Sequence, residues 1–164
     1  MDTNENSSET SPKKFLPYIG GAVAIIVVLF LFIGGNPTSP KDIVKKYADI
    51  SITALNEGKV SDEDLSWLQK IFVNPTDGAR ESAAMRQSTL MNQQLAGYGG
   101  SVNAKFKEIK SIHDDGTNCV MGLVIETSGF RAGYSSTVET QTKLYLIKLD
   151  EWKISRTESQ TIER

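Results

Sequence analysis

The stretch NCVMGLVIET, residues 118–127, decides the fold because it changes the apolar period of the chain to two. Large apolar side chains occupy every second position, which places them on one face of a β-strand. Val120 and Val124 fall on the other face, so we expect both faces of this strand to be partly covered. The first face carries Cys119, Met121, Leu123 and Ile125.

Three more strands flank this one in the sequence. Residues 114–116, DDG, have the composition of a tight hairpin turn that leads in from an earlier strand. In that earlier strand the apolar phase slips between Phe106 and Ile109, which predicts a β-bulge. The segments after the central strand are a predicted loop at 128–136 (SGFRAGYSS), a strand at 137–149 and a short strand at 152–156.

The region before the strands has the helical period instead. Ser39 caps a helix that begins with Pro40 and ends at Gly58. Ser61 caps a second helix with an acidic first turn, and a third helix is expected at about 77–96. The predicted buried stripes are Ile43, Tyr47, Ile50 and Ala54 in the first helix, Leu65, Leu68 and Phe72 in the second, and Ala84, Ser88, Met91 and Leu95 in the third.

Three helices followed by four hairpin-connected strands predict an α+β domain. We expect a bent four-stranded antiparallel sheet with the three helices packed on one face. The predicted domain covers residues 39–157, and the polar residues 158–164 are expected to be a frayed tail.

Short motifs in this region carry a family resemblance. They are Ser39-Pro40 followed by Ile43, Val44 and Tyr47, residues 54–58 (ALNEG), and residues 148–154 (KLDEWKI). This pattern resembles the nuclear transport factor 2-like (SnoaL-like, cystatin-like) superfamily, which implies helices that cradle a strongly bent sheet. The turn Asp150-Glu151 departs from the Asp-Gly that is common in its small bacterial envelope members. An anchored domain of this kind also resembles the inner-membrane scaffold subunit of type IV secretion systems, which implies a place in a secretion or conjugation assembly.

An apolar run at residues 15–33, FLPYIGGAVAIIVVLFLFI, predicts a transmembrane helix. At about 1.5 Å per residue it is about 30 Å long, which matches the hydrocarbon core of a bilayer. A buried core helix would keep a polar face, and a cleaved signal peptide would end in small residues instead of Leu31, Phe32 and Ile33. Gly20 and Ala24 form a small-xxx-small pair that suits packing against a second helix.

The lysines around this run indicate its orientation. Lys13 and Lys14 abut its N-terminal side, which favours a cytoplasmic N-terminus, although three lysines lie beyond the other end. We therefore expect a single-pass protein of the cell membrane with a periplasmic or extracellular C-terminal domain. The predicted segments are a disordered cytoplasmic tail at 1–14, the transmembrane helix at 15–35 and a linker at 36–38.

Composition excludes several classes of function. The chain has 18 Lys and Arg against 20 Asp and Glu and no basic tract, so we expect no nucleic-acid partner. A single Cys119 cannot form an intrachain disulfide, and with the single His113 it cannot assemble a structural zinc site. Cys119 is expected to be a buried thiol, and no metal or cofactor is predicted.

The function that the sequence favours is a non-catalytic envelope protein that binds or positions protein partners. Phe130, Arg131 and Tyr134 in the predicted loop have the composition of a binding hot spot. The alternative is that both aromatic rings fold back onto the sheet. The expected partners are membrane lipid, through residues 15–33, and protein, including a second copy of the chain.

A competing hypothesis is a cone-shaped domain that binds a small ligand or acts as an isomerase or hydrolase. The superfamily resemblance implies a carboxylate base and a tyrosine in an apolar pocket, for which the candidates are Glu126, Glu139, Tyr145 and Tyr47. Glu126 and Glu139 also fit solvated strand positions, so a pocket around a buried carboxylate would favour this hypothesis. A sensor ranks third because the N-terminal tail has no room for an output domain.

Overall fold

The computed structural model describes residues 39–163, which form three helices followed by four strands. This order confirms the predicted α+β class with three helices on a four-stranded antiparallel sheet. The helices are α1 (Pro40–Glu57), α2 (Asp62–Ile71) and α3 (Pro75–Gly97), and the strands are β1 (Ser101–Asp114), β2 (Asn118–Arg131), β3 (Tyr134–Lys148) and β4 (Trp152–Glu163).

The predicted membrane anchor lies outside the described residues, as do Gly20, Ala24, the N-terminal tail and the linker. Among the helices at 40–97, none is both long and apolar enough to cross a bilayer. The anchor, its orientation and the cellular location therefore stay predictions.

The sheet is a simple meander in the order β1-β2-β3-β4, with every neighbouring pair antiparallel. The register of β1 shifts between Phe106 and Glu108 and again between Ser111 and His113, which confirms the predicted bulge. The second shift sends Ile112 to the face away from the helices, where its side chain lies over Gly122. Ile112 is therefore about half exposed and does not continue the apolar stripe of β1; Phe106, which precedes both shifts, is exposed to a similar extent.

The core fills the space between the helices and one face of the sheet. The predicted stripes of α1 and α2 and the predicted face of β2 are buried there, including the thiol of Cys119. Six aliphatic side chains at its centre have at most 1% of their surface exposed: Ile43, Val44, Leu68, Leu123, Leu144 and Ile154. Ser39 and Ser61 cap α1 and α2 as predicted, each accepting a hydrogen bond from the backbone N–H three residues later.

The prediction for α3 was wrong in its buried face. Ala84 and Met91 are exposed, and the buried residues are Gly78, Ser82, Met85 and Thr89. This helix packs through small and polar groups because its neighbour α2 comes very close. The Ser82 hydroxyl donates a hydrogen bond to the Leu65 carbonyl oxygen at 3.0 Å. A buried, hydrogen-bonded polar side chain therefore lies at the contact with α2, where the helical period predicts an apolar one.

The sheet is also longer than predicted at its C-terminal edge. Residues 158–163, predicted to be a frayed tail, belong to β4 and pair with β3 as far as Glu163 opposite Val138. The hydroxyls of Ser159 and Thr142 lie 2.9 Å apart across the two strands. Polar composition suggested a frayed end, but the backbone partner that β3 supplies holds this segment in the sheet.

The two edge strands, β1 and β4, each form backbone hydrogen bonds with residues of the helical layer. The Asn56 side chain, at the end of α1, donates to the Ala104 carbonyl at 2.8 Å and accepts from the Ala104 N–H at 2.5 Å. At the other edge, Phe72 forms a parallel bridge with Ile154. These contacts satisfy backbone groups of the outer strands and fix the helical layer on the sheet.

Candidate functional site

The segment that carries Phe130, Arg131 and Tyr134 is a tight β-hairpin and not the predicted loop. Arg131 pairs with Tyr134, and Phe130 pairs with Ser135. Ala132 (φ 49°) and Gly133 (φ 86°) both have positive φ, as the two central residues of a type I′ turn require. Alanine is uncommon at such a position, so the sequence lacked the Asn-Gly signal that would have predicted the hairpin.

The C-terminus of α3 lies against this hairpin. The N–H groups of Tyr98 and Gly100 both donate to the Leu95 carbonyl, at 3.1 and 2.9 Å, and close the helix. A side chain at Gly100 would begin 2.5 Å from the Leu95 Cδ1 and 3.0 Å from the Phe130 carbonyl oxygen. Glycine at this position therefore allows the end of α3 to lie directly on β2.

Together these elements form an exposed apolar and aromatic surface, which we call the end surface. Phe130 is 50% exposed and Tyr134 83% exposed, so the two rings do not fold back onto the sheet. Met91 and Tyr98 are also well exposed beside them. The end surface consists of Met91, Leu95, Tyr98, Phe130, Arg131 and Tyr134.

Two depressions lie within the end surface. A groove of about 470 Å³ runs between α3 and the start of the sheet, where Leu55, Leu95 and Val102 form part of its wall. A smaller hollow of about 270 Å³ lies beside the hairpin. Leu95 and Arg131 line both depressions, so the two form one continuous concave region.

Arg131 is the charged residue of the end surface. Its guanidinium stacks over the Tyr98 ring with 5.2 Å between Cζ and the ring centroid. The last turn of α3 contains no basic residue, so this cation from the hairpin lies at the negative end of the helix. Within residues 39–163, the Arg131 side chain forms no hydrogen bond and no ion pair.

A larger depression, of about 890 Å³, lies on the face of the sheet away from the helices. Its walls are strongly polar, and several of its charged groups already have partners within the chain. Lys107 donates to Glu126 at 3.0 Å, and Gln141 donates to Glu139 at 2.9 Å. These contacts pair part of the charge of this depression within the sheet itself.

Glu126 is the most strongly paired carboxylate of that face. Lys105 Nζ lies 2.7 Å and Lys107 Nζ 3.0 Å from its two carboxylate oxygens, and the side chain is only 12% exposed. Hydrogen bonds from the two lysines lower the pKa of Glu126 to about 2. The ionised carboxylate therefore links β2 to β1 through two ion pairs. Glu126 is not the plain solvated strand residue that the sequence suggested.

The low pKa of Glu126 predicts a pH dependence of stability. The folded state holds this carboxylate ionised, so its contribution is complete above the unfolded pKa of about 4.5 and is lost as the pH falls toward 2. Glu126→Gln should flatten the dependence of the unfolding temperature on pH between 4.5 and 2. Replacing Lys105 and Lys107 together by methionine should have the same effect, and an unchanged slope in both variants would contradict the assignment.

The candidates for a catalytic pair do not come together. Glu126 and Glu139 face each other across β2 and β3, on the side of the sheet away from α1. Glu139 is 7% exposed, so it is not the solvated residue that the sequence suggested. Tyr145 donates to Glu158 at 2.8 Å on the outer part of the sheet, far along the strand from both. None of the three approaches Tyr47, which lies in the helical layer.

The carboxylate beside Tyr47 is Glu81, which the sequence analysis missed. The Tyr47 hydroxyl donates to Glu81 at 3.0 Å, and Thr157 donates to the other oxygen of the same carboxylate at 3.2 Å. Burial and the nearby Glu81 charge raise the pKa of Tyr47, so its hydroxyl remains a donor. The pairing depends on how α1 crosses α3, and no sequence motif indicates that crossing.

The remaining residues with reactive side chains have structural positions. His113 is exposed near the turn, with its Nε2 3.7 Å from Asp115. Cys119 is buried in the core, and burial raises the pKa of its thiol. In the part of the chain that the structure describes, no three His, Cys, Asp or Glu side chains are grouped to hold a metal ion.

Comparisons with known proteins give structural similarity alone. No family model matches the chain, and no curated sequence matches it. The intermembrane space region of the chloroplast protein ARC6 is 14% identical, with 79% of this chain and 99% of that chain covered and a TM-score of 0.43. A designed β-sheet protein is 17% identical, with 76% and 92% covered and a TM-score of 0.45. A protein named as an aromatic ring hydroxylase, from Novosphingobium aromaticivorans, is 13% identical, with 74% and 92% covered and a TM-score of 0.43.

Proposed function

We propose that this chain is a non-catalytic, membrane-anchored envelope protein whose 39–163 domain binds a protein partner through the end surface. The observation that carries the proposal is the exposure of Phe130 and Tyr134 around the cation of Arg131. Exposed aromatic residues and arginine at the centre of a concave region are the composition of protein-binding hot spots. We also propose that the domain belongs to the nuclear transport factor 2-like superfamily.

The position of the end surface supports a role in reaching a partner. Leu55, in its groove, lies near the end of α1 that is remote from Ser39, the first described residue. At about 1.5 Å per residue, the two ends of this part of α1 are separated by about 24 Å. The end surface therefore lies at the end of α1 that is remote from the first described residue, where a partner can contact it without touching the start of the domain.

The contents of the helical layer support binding over catalysis. The space that an enzymatic cone would leave open is filled here by aliphatic side chains of the core. The buried tyrosine and carboxylate, Tyr47 and Glu81, bond to each other and to Thr157 within this packed region. An alternative small-ligand function would use either the groove at the end surface or the larger depression on the other face of the sheet, which the buried Glu139 lines.

Site-specific photocrosslinking in living cells tests the proposal. A photoreactive amino acid at position 134 is expected to trap one specific protein, identified by mass spectrometry and confirmed by reciprocal tagging. The matched control is position 112, where Ile112 is 49% exposed at the opposite end of the sheet. The proposal would be contradicted if both positions trapped the same protein in the same yield, or if position 134 trapped none.

A further inference from the structure

Residues 39–163 contain two arginine–tyrosine stacks, and their comparison indicates what the end surface recognises. In the first, Arg156 lies over the Tyr145 ring at 3.9 Å. In the second, Arg131 lies over the Tyr98 ring at 5.2 Å. The two stacks have the same pair of residue types in different environments, one between β3 and β4 and the other between the hairpin and the end of α3.

The Arg156 stack is completed by a carboxylate. Glu158 accepts a hydrogen bond from the Tyr145 hydroxyl at 2.8 Å, and its other oxygen lies 3.3 Å from Arg156 Nη2. One carboxylate thus binds both members of the stack. The chain itself therefore provides an example of what such an arrangement holds.

The Arg131 stack has no such carboxylate among residues 39–163. The residues that line the groove and hollow around it are apolar, aromatic or neutral polar, apart from Arg131 itself. Guanidinium donors that stack on an aromatic ring keep their edge N–H groups available for a planar acceptor. The charge on the end surface is therefore complementary to a partner's carboxylate.

We infer that the end surface binds a peptide segment of a protein partner in which an acidic side chain is flanked by apolar side chains. The carboxylate takes the position beside Arg131 and Tyr98 that Glu158 has in the other stack, and the apolar side chains enter the groove lined by Leu55, Leu95 and Val102. A second copy of the chain fits poorly, because a two-fold contact through this surface brings Arg131 toward Arg131. The inference rests on the proposed function for its premise that the partner is a protein.

Saturation-transfer difference NMR on the full chain tests this inference, because the method detects weak peptide binding to a large particle. The probes are two acetylated and amidated peptides, leucine–phenylalanine–glutamate–leucine and the same peptide with glutamine in place of glutamate. The purified protein is used in the medium in which it is monodisperse, and the same medium without protein is the blank. The glutamate peptide is expected to bind about two- to fivefold more tightly.

Variants separate recognition from a structural role of Arg131 at the end of α3. Arg131→Gln should bring the two peptides to equal affinity, and Arg131→Lys should keep part of the preference because the charge remains. Arg156→Gln is the matched control, since it alters the stack that already has a carboxylate, and it should leave the preference unchanged. A loss of stability in Arg131→Gln without a change in peptide preference would assign Arg131 a structural role alone.

Other outcomes overturn the inference while leaving the proposed function to its own test. Equal binding of both peptides to the unaltered chain, or binding of neither at millimolar concentration, would remove the carboxylate from the recognition. Binding of 4-phenylbutyrate as tight as that of the glutamate peptide would indicate a small amphiphile as the occupant. Specific crosslinking from position 134 could still succeed in each of these cases.

Discussion

Replacing Phe130 and Tyr134 together by alanine is expected to weaken capture of the crosslinked partner by at least about 30-fold. Aromatic residues at the centre of an interface each cost about 2 kcal/mol or more when truncated, and about 1.4 kcal/mol corresponds to a factor of ten in affinity. Both side chains expose most or half of their surface in the described domain, so their removal takes little from the core. The partner identified by crosslinking is titrated against purified protein to measure the change.

The matched control for this double variant is Ile112→Ala with Leu149→Ala. These residues are 49% and 54% exposed, close to the value for Phe130, and lie at the opposite end of the sheet. Their truncation removes a similar kind of exposed apolar surface and should leave partner affinity within about twofold. If the two double variants weaken binding equally, exposed apolar area in general would explain the effect, and the end surface would lose its specific role.

The sequence predicted those parts of the fold in which a local pattern of apolar and polar residues is enough to determine which side chains are buried. The stripes of α1 and α2, the buried face of β2 and both serine caps are local patterns, and the structure confirms them. A period of 3.6 or 2 is sufficient there because the contacts are apolar and lie on a single face. Four strands connected by hairpins follow from the same argument.

The errors occurred where a contact across the fold decided the result. The apolar residues of α3 were assigned to its buried face, yet Met91 is exposed in the end surface and Ser82 is buried against α2. The turn between Phe130 and Tyr134 was missed because Ala132 has positive φ without the usual asparagine or glycine. Residues 158–163 were expected to be a frayed tail because they are polar, but they pair with β3 as part of β4.

The same distinction applies to the candidate site. Phe130, Arg131 and Tyr134 were selected by composition, and the structure brings them together with Leu95 and Tyr98 from the end of α3. Arg156 and Glu158 lie two residues apart on one face of β4, so their ion pair follows once residues 158–163 form a strand, which the sequence did not predict. The surroundings of Arg131 depend instead on how the hairpin meets the end of α3, which no local pattern indicates.

Gly78→Ala is expected to lower the free energy of unfolding by about 2 kcal/mol, although alanine is the better helix former. A Cβ at Gly78 would lie 2.6 Å from the Gln69 carbonyl oxygen and 3.0 Å from its Cα. Both atoms belong to the backbone of α2, so a side-chain rotation cannot relieve the overlap and the two helices must move apart. Overpacking of this kind costs about 3 kcal/mol, and the gain in helix propensity returns about 1 kcal/mol.

Gly97→Ala is the matched control because Gly97 is the last residue of the same helix and a Cβ there would meet no atom within 4 Å. It should be neutral or stabilise the domain by up to about 1 kcal/mol. Urea unfolding followed by tryptophan fluorescence measures both variants in the full chain, since the two tryptophans, Trp67 and Trp152, lie in the described domain. If Gly78→Ala were as stable as Gly97→Ala, the close approach of α2 and α3 would not need glycine. The exposure of Ala84 and Met91 on α3 would then need an explanation other than the close contact between α2 and α3.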